Sequence, residues 1–125
     1  MTVLLDSWAW VEYWRGGRGA AKAASFIEGD EDALVSAVNL AELYHWVLLH
    51  YDEATAEVRR EAVESRCFII PLDAEVAVSS ARIKKAEKLA LADSIVLATG
   101  RARGATVVSG DPDLKGKDGV TYIGI

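Results

Sequence analysis

The sequence predicts an α/β protein, a parallel sheet with helices on both faces. Three observations carry this. Five short apolar runs recur along the 125 residues, and longer stretches with helical spacing separate them. The runs are apolar at consecutive positions, as strands covered on both sides require. Strand–helix–strand succession then joins parallel neighbours through right-handed crossovers. The length suits one domain, residues 1–125, large enough to bury a core without disulfides.

The runs are residues 2–5, 34–38, 67–70, 105–108 and 120–123. Asp6 stops the first, Pro71 closes the third, and Ser109-Gly110-Asp111-Pro112 closes the fourth. Helices are expected over 7–14, 20–27, 39–50, 52–65, 73–88 and 91–103. The third has Leu40, Leu43, Tyr44 and Val47 on one face, the i, i+3, i+4, i+7 pattern. Asp73 is a candidate N-cap, and Gly104 a candidate residue beyond a helix C-terminus. Gly16-Gly17-Arg18-Gly19 follows a helix rather than a strand, so it makes a poor phosphate-binding loop.

Composition narrows the class. With 51% hydrophobic and 26% charged residues, the chain is not disordered. The single cysteine, Cys67, allows no intrachain disulfide. This suits a reducing, cytoplasmic setting. No run is long enough for a membrane span, and the first residues lack the basic and apolar regions of a signal peptide. The net charge of -5 argues at first against a nucleic-acid partner, since Lys and Arg dominate phosphate binding.

The acids are the informative residues. In a parallel sheet, Asp6, Glu42 and Asp111 project from the edge where strands end, the usual place for a site. Asp93 opens the helix that feeds strand four. Each has a plainer reading. Asp6 suits a helix cap, Asn39 and Glu42 have capping-box spacing, Asp93 answers a helix dipole, and Asp111-Pro112-Asp113 suits a turn. Convergence is what favours a site. Four close carboxylates repel and need a cation, and their hard oxygens suit Mg²⁺ or Mn²⁺ rather than zinc.

The segments Val3-Leu4-Leu5-Asp6-Ser7, Val38-Asn39-Leu40-Ala41-Glu42-Leu43, Leu91-Ala92-Asp93-Ser94-Ile95-Val96-Leu97-Ala98-Thr99 and 104–114 are similar, in order and spacing, to the four signature segments of PIN-domain proteins. The chain most resembles the small VapC-type toxins. The resemblance implies a three-layer α/β/α fold with a five-stranded parallel sheet in the order 3-2-1-4-5. It implies a metal-dependent endoribonuclease, the toxin of a type II toxin–antitoxin pair, acting on RNA and inhibited by a small antitoxin. It also favours a homodimer. By position, Asp6, Glu42, Asp93 and Asp111 become catalytic and metal-site acids, with Asp113 an additional acid and Ser7 and Ser109 supporting hydroxyls. Asp6 and Asp93 are the expected direct ligands, with Glu42 and Asp111 binding directly or through water. The chain departs from the usual pattern at Trp8 and Trp10, where small or aliphatic residues are frequent, and at Gly110, where Arg is frequent.

Two other classes fit parts of the pattern. One is a binding module that keeps the fold but cleaves nothing. The other is a receiver-type signalling domain, which also gathers acids around Mg²⁺. An Asp-x-Asp phosphatase is excluded, because Ser7-Trp8 follows Asp6. His45 and His50, five apart, read as surface or structural residues, and Cys67 as a buried inert thiol. Trp8, Trp10, Trp14 and Trp46 suit core packing or a subunit interface, with base stacking the alternative. Arg82, Lys84, Lys85, Lys88, Arg101 and Arg103 make a basic stretch. It is either a solvated helix face or an RNA-tracking rim to which Arg15 and Arg18 add. Setting aside the four site acids leaves 15 acids against 14 bases. Glu28, Asp30, Glu31 and Asp32 crowd one expected loop. The net charge therefore does not exclude RNA.

Overall fold

The computed structural model describes residues 1–125. In chain order the elements are β1 (Thr2–Leu5), α1 (Ser7–Arg15), α2 (Ala20–Ile27), β2 (Asp32–Ser36), α3 (Ala37–His50), α4 (Glu53–Arg66), β3 (Phe68–Ile70), α5 (Ala74–Glu87), α6 (Leu91–Ala102), β4 (Thr106–Ser109), a 3₁₀ turn (Pro112–Leu114) and β5 (Val120–Tyr122). The five strands form one sheet in the order β3-β2-β1-β4-β5, every pair parallel. This is the expected order. It differs from the 2-1-3-4-5 order of receiver-type domains, which removes that reading.

Alternation along each strand builds two cores. Val3, Leu5, Val35 and Val108 face one side, against Trp10, Ala23, Leu43 and Val63 of the first four helices. Leu4, Leu34 and Val107 face the other, against Val96 and Leu97 of α6. Val3, Leu4 and Leu5 are wholly buried, so β1 is the centre of the sheet in burial as well as in order. Helix pairs α1–α2 and α3–α4 cover one face, and α5–α6 the other. No helix is long and apolar enough to cross a membrane.

Helix termini are closed by side chains at Asp6, Ser36, Asp52 and Asp73, whose oxygens accept backbone N–H groups of the first turn. Arg66, at the end of α4, donates to the carbonyls of Phe26, Ile27 and Glu31. The bond to Ile27 satisfies a carbonyl that the end of α2 would otherwise leave free, and the others tie α4 to α2 and to the loop before β2. Cys67 is buried, and burial pushes its thiol up to about 12, which leaves it inert.

The second strand is shifted from its expected place. Residues 37 and 38 are apolar but already helical, because the Ser36 Oγ accepts the Val38 N–H and starts α3. Ser36, not Asn39, is therefore the cap, and the capping-box reading of Asn39 and Glu42 fails. Asp32, expected in a loop, is the first residue of β2 and pairs with Thr2. Trp10 is 2% exposed and packs edge-on to Tyr13 and tilted against Trp14. It belongs to the core and is not available to a subunit interface.

Gly100 shows how closely α6 approaches the sheet. A Cβ there would lie 2.7 Å from a Val107 methyl and 3.3 Å from the Ala105 carbonyl. Alanine would gain helix propensity of about 1 kcal/mol but overpack a stiff strand side chain at a cost of about 1–3 kcal/mol. Gly100→Ala is expected to lower the urea midpoint of unfolding. A raised midpoint would show that the helix can move away from the strand.

Candidate metal centre

The site lies where the sheet reverses its order of connection, between β1 and β4. Asp6 follows β1 directly and is 5% exposed. Its Oδ1 accepts the Ala9 N–H at 3.2 Å, so it also caps α1. Its own N–H donates to the Val108 carbonyl at 3.3 Å, which ties it to β4. Across the reversal point, Ser109 ends β4 and its Oγ accepts the Asp111 N–H at 3.0 Å. Asp111 Oδ1 accepts the Asp113 N–H at 3.0 Å and opens the 3₁₀ turn. The cap and turn readings of Asp6 and Asp111 are thus both realised, at positions that also face the site.

Asp93 stands in the first turn of α6. No side chain caps this helix, so the Asp93 carboxylate is not consumed there. Carboxylate oxygens of Asp93, Asp111 and Asp113 all lie within 4.8 Å of one another. Glu42, on α3, is exposed, and its Oε1 accepts two hydrogen bonds of 3.0 Å, from Ser7 Oγ and Asn39 Nδ2. Asn39 is buried, so the α3 end of this clamp is rigid.

The electrostatics follow from this crowding. Burial pushes Asp6 up to about 7; the Ser109 hydroxyl and Ala9 N–H oppose the rise, while Asp111 and Asp93 add to it. Asp93 is raised to about 6, first by desolvation and then by Asp111, Asp113 and Glu42. No Lys or Arg forms an ion pair with any of the five acids, since the ion pairs join Arg60, Arg66 and Arg101 to Glu31, Glu57, Glu64 and Glu87. An all-oxygen donor set with no internal counter-charge is the kind that hard divalent cations occupy.

The residue-by-residue outcome is uneven. Asp113 groups with Asp93 and Asp111, while Asp6 is buried near Asp93 and Asp111 and Glu42 is held by Ser7 and Asn39. Among the basic residues, Arg15 lines a cleft with Trp8, Gly110 and Pro112, next to Asp111. Arg82 instead lines a groove with Ala98, Ala102 and Arg103, toward the far end of α6. Asp93 and Arg103 are ten residues apart, about 15 Å along a helix. Lys84 Nζ donates to the Leu89 carbonyl and Arg101 pairs with Glu87 at 2.8 Å; Lys85 and Lys88 are exposed. His50 stacks on Trp46 at 4.4 Å, and both histidines are exposed. One contact had no local sequence signal. A Cβ on Gly110 would lie 2.3–2.5 Å from three ring carbons of Trp8, and one on Gly19 would lie 2.6 Å from the same ring.

With the geometry in view, comparison with known proteins is decisive for the family. The PIN domain model matches residues 3–120. The chain belongs to the PIN-domain family. No curated protein sequence matches it. Solved structures similar to this PIN domain include a toxin–antitoxin complex from Klebsiella pneumoniae, at 21% identity and TM-score 0.81, covering 98% of this chain and 99% of that one. Another is VapC20 of Mycobacterium tuberculosis, described as a sarcin–ricin-loop-cleaving toxin, at 14% identity and TM-score 0.77, covering 93% and 95%. A third is FitAcB from Neisseria gonorrhoeae, at 26% identity and TM-score 0.69, covering 89% and 88%.

The Asp6 environment has a measurable consequence. Between pH 4 and 7 the unfolded chain has lost this proton while the folded one retains it. The metal-free protein therefore loses stability as pH rises through that window, and carries the full penalty above about pH 7. Asn keeps the cap and removes the charge. Asp6→Asn should stabilise the metal-free protein at pH 8 by up to about 4 kcal/mol, with the gain vanishing near pH 4. Chemical denaturation in EDTA at both pH values checks this, and a variant equally or less stable at pH 8 would refute the burial penalty.

Proposed function

We propose that this PIN-domain protein is a divalent-metal-dependent endoribonuclease and the toxin of a type II toxin–antitoxin pair. The observation that carries the proposal is the group formed by Asp93, Asp111 and Asp113, backed by buried Asp6 and flanked by Glu42. The likeness to VapC-type structures supports the biological role, and VapC20 is itself described as a sarcin–ricin-loop-cleaving toxin. An RNA substrate, a cognate antitoxin and a homodimeric, cytoplasmic existence belong to the same proposal.

Asp6 and Asp93 would hold Mg²⁺ or Mn²⁺ directly, Glu42 and Asp111 would act directly or through water, and Asp113, grouped with Asp93 and Asp111, would be an additional acid. When bound, the ion supplies Lewis acidity toward a phosphodiester and lowers the pKa of a bound water. The protein's own part is positional. Ser7 and Asn39 fix Glu42 through one oxygen and leave Oε2 free to accept from a water and orient it. The Ser109 hydroxyl holds the Asp111 backbone, and Asp111 in turn holds Asp113. The two acids on the β4 turn are thus set as a unit against Asp93 on α6. Acids with raised affinity for protons bind metal more weakly in acid, so metal binding should fall below about pH 6 to 7.

The test is cleavage of labelled structured RNAs with Mn²⁺ or Mg²⁺ and then with EDTA. The expected result is metal-dependent scission, lowered about a hundredfold or more in Asp93→Asn while the circular dichroism spectrum and urea midpoint show a folded protein. Full activity in Asp93→Asn would sink the assignment. A folded wild-type protein that binds its partner but cleaves no RNA would favour the binding module.

A further inference from the structure

A second constellation adjoins the acids. The cleft containing Trp8, Arg15, Arg18 and Tyr122 has a volume of about 510 Å³, and Gly110 and Pro112, on either side of Asp111, form its wall toward the site. That volume lies within the range typical of pockets for small organic ligands. Arg15 and Arg18 are exposed and take part in none of the protein's ion pairs. Lys115 Nζ lies 5.4 Å above the Tyr122 ring. The one acidic side chain in the cleft wall, Glu12, is turned into the glycine loop, where its Oε1 accepts the Gly19 N–H at 3.3 Å. A Cβ on Gly17 would collide with that same oxygen. The loop thus holds one Glu12 oxygen, and neither Arg15 nor Arg18 is paired with it.

We propose that this cleft is a nucleotide subsite of the RNA-cleaving centre, with Trp8 and Tyr122 receiving a base beside the reacting phosphate and Arg15 and Arg18 receiving the adjoining backbone phosphate. The proposal rests on the nuclease reading of the acids. Trp8 is half-buried, and its six-membered ring is seated on Gly19 and Gly110, which makes it a fixed wall rather than a mobile side chain. Aromatic walls bind bases of any sequence, because each base has a π-face, and unpaired arginines bind phosphate. Chain continuity is compatible with this: a strand whose phosphate sits at Asp111 reaches the cleft by passing over Gly110 or Pro112. An acidic peptide offers the charge but no comparable stacking partner, so RNA is the occupant favoured by the aromatic pair.

The decisive experiment measures binding in EDTA, where metal-dependent cleavage is off. Fluorescein-labelled oligouridylate and an abasic ribose–phosphate strand of the same length are titrated by anisotropy across a salt series. The wild type should bind the base-bearing strand at least about fivefold more tightly than the abasic one, the lower end for one base–aromatic stack. Trp8→Leu should close that gap. The Arg15→Gln/Arg18→Gln double variant should weaken both strands and flatten the log–log salt slope by about 0.7, the value for one phosphate on a single strand. Equal wild-type affinity for the two strands overturns the base contact, and an unchanged slope in the double variant overturns the phosphate contact. Preferential capture of polyglutamate over oligouridylate would make the cleft a protein-docking site and overturn both. If Trp8→Leu does not fold, Trp8→Phe and the wild-type strand comparison decide alone. Base-dependent binding without metal-dependent cleavage would defeat the nuclease reading and leave the cleft; cleavage with base-independent binding would do the reverse.

Discussion

A carboxylate is buried at the end of the central strand, and the arrangement around it follows from that burial. Asp6 continues directly from Val3, Leu4 and Leu5, which have no exposed surface. A charge in such a place costs far more than hydrogen bonds to one N–H and one hydroxyl return. The strand order sharpens the problem, because β1 has β2 on one side and β4 on the other and acids arrive from both. Their fields raise Asp6 and Asp93 together. Two outcomes relieve such a cluster: proton uptake, or a cation. No basic side chain pairs with these acids, so a cation that neutralised them would come from outside the chain. Much of the -5 formal charge is therefore local, and a divalent ion would offset a large part of it.

The support around the cluster is built from different parts of the chain. Glu42 is held by a residue of α1 and by a residue one turn earlier on α3, so both helices must be docked before its carboxylate is fixed. The β4 turn is internally braced, from Ser109 to Asp111 to Asp113. Asp93 arrives on a helix that Gly100 allows to lie close against β4. Like-charged groups remain near one another because separate, well-packed elements hold them there, and folding energy from the two cores opposes the repulsion.

This division explains what was legible beforehand. The helices and strands were readable because their signals are local, such as the double-sided apolar runs and the Asp73 cap of α5. The boundary of β2 was not, since residues 37 and 38 are apolar in either state and a Ser36 cap outweighed their strand propensity. Asn39 has capping-box spacing from Glu42, but its amide serves the glutamate itself. The acids could be named from their order in the chain, yet their grouping could not. That Asp113 stands with Asp93 and Asp111 depends on a 3₁₀ turn and on side-chain directions. Arg82 illustrates the limit for surface charge: it shares a basic stretch with Lys88, but α5 and α6 carry it toward the end of α6 away from Asp93.

Trp8 and Gly110 show why departures from a family pattern should be read in pairs. In sequence they are two separate oddities, a large aromatic after the first acid and a missing side chain before the fourth. In the fold the indole ring occupies the space that a Gly110 side chain would need. Restoring an arginine at 110 while keeping Trp8 would force three ring carbons or the β4 turn to move, and that turn carries Asp111 and Asp113. Shrinking Trp8 while keeping Gly110 would leave a void beside the same turn and remove its lateral support. Neither change is conservative alone, whereas both together exchange an aromatic wall for a flexible cation. If the cleft is the proposed nucleotide subsite, the pair would trade one mode of anion and base recognition for another beside acids that stay in place.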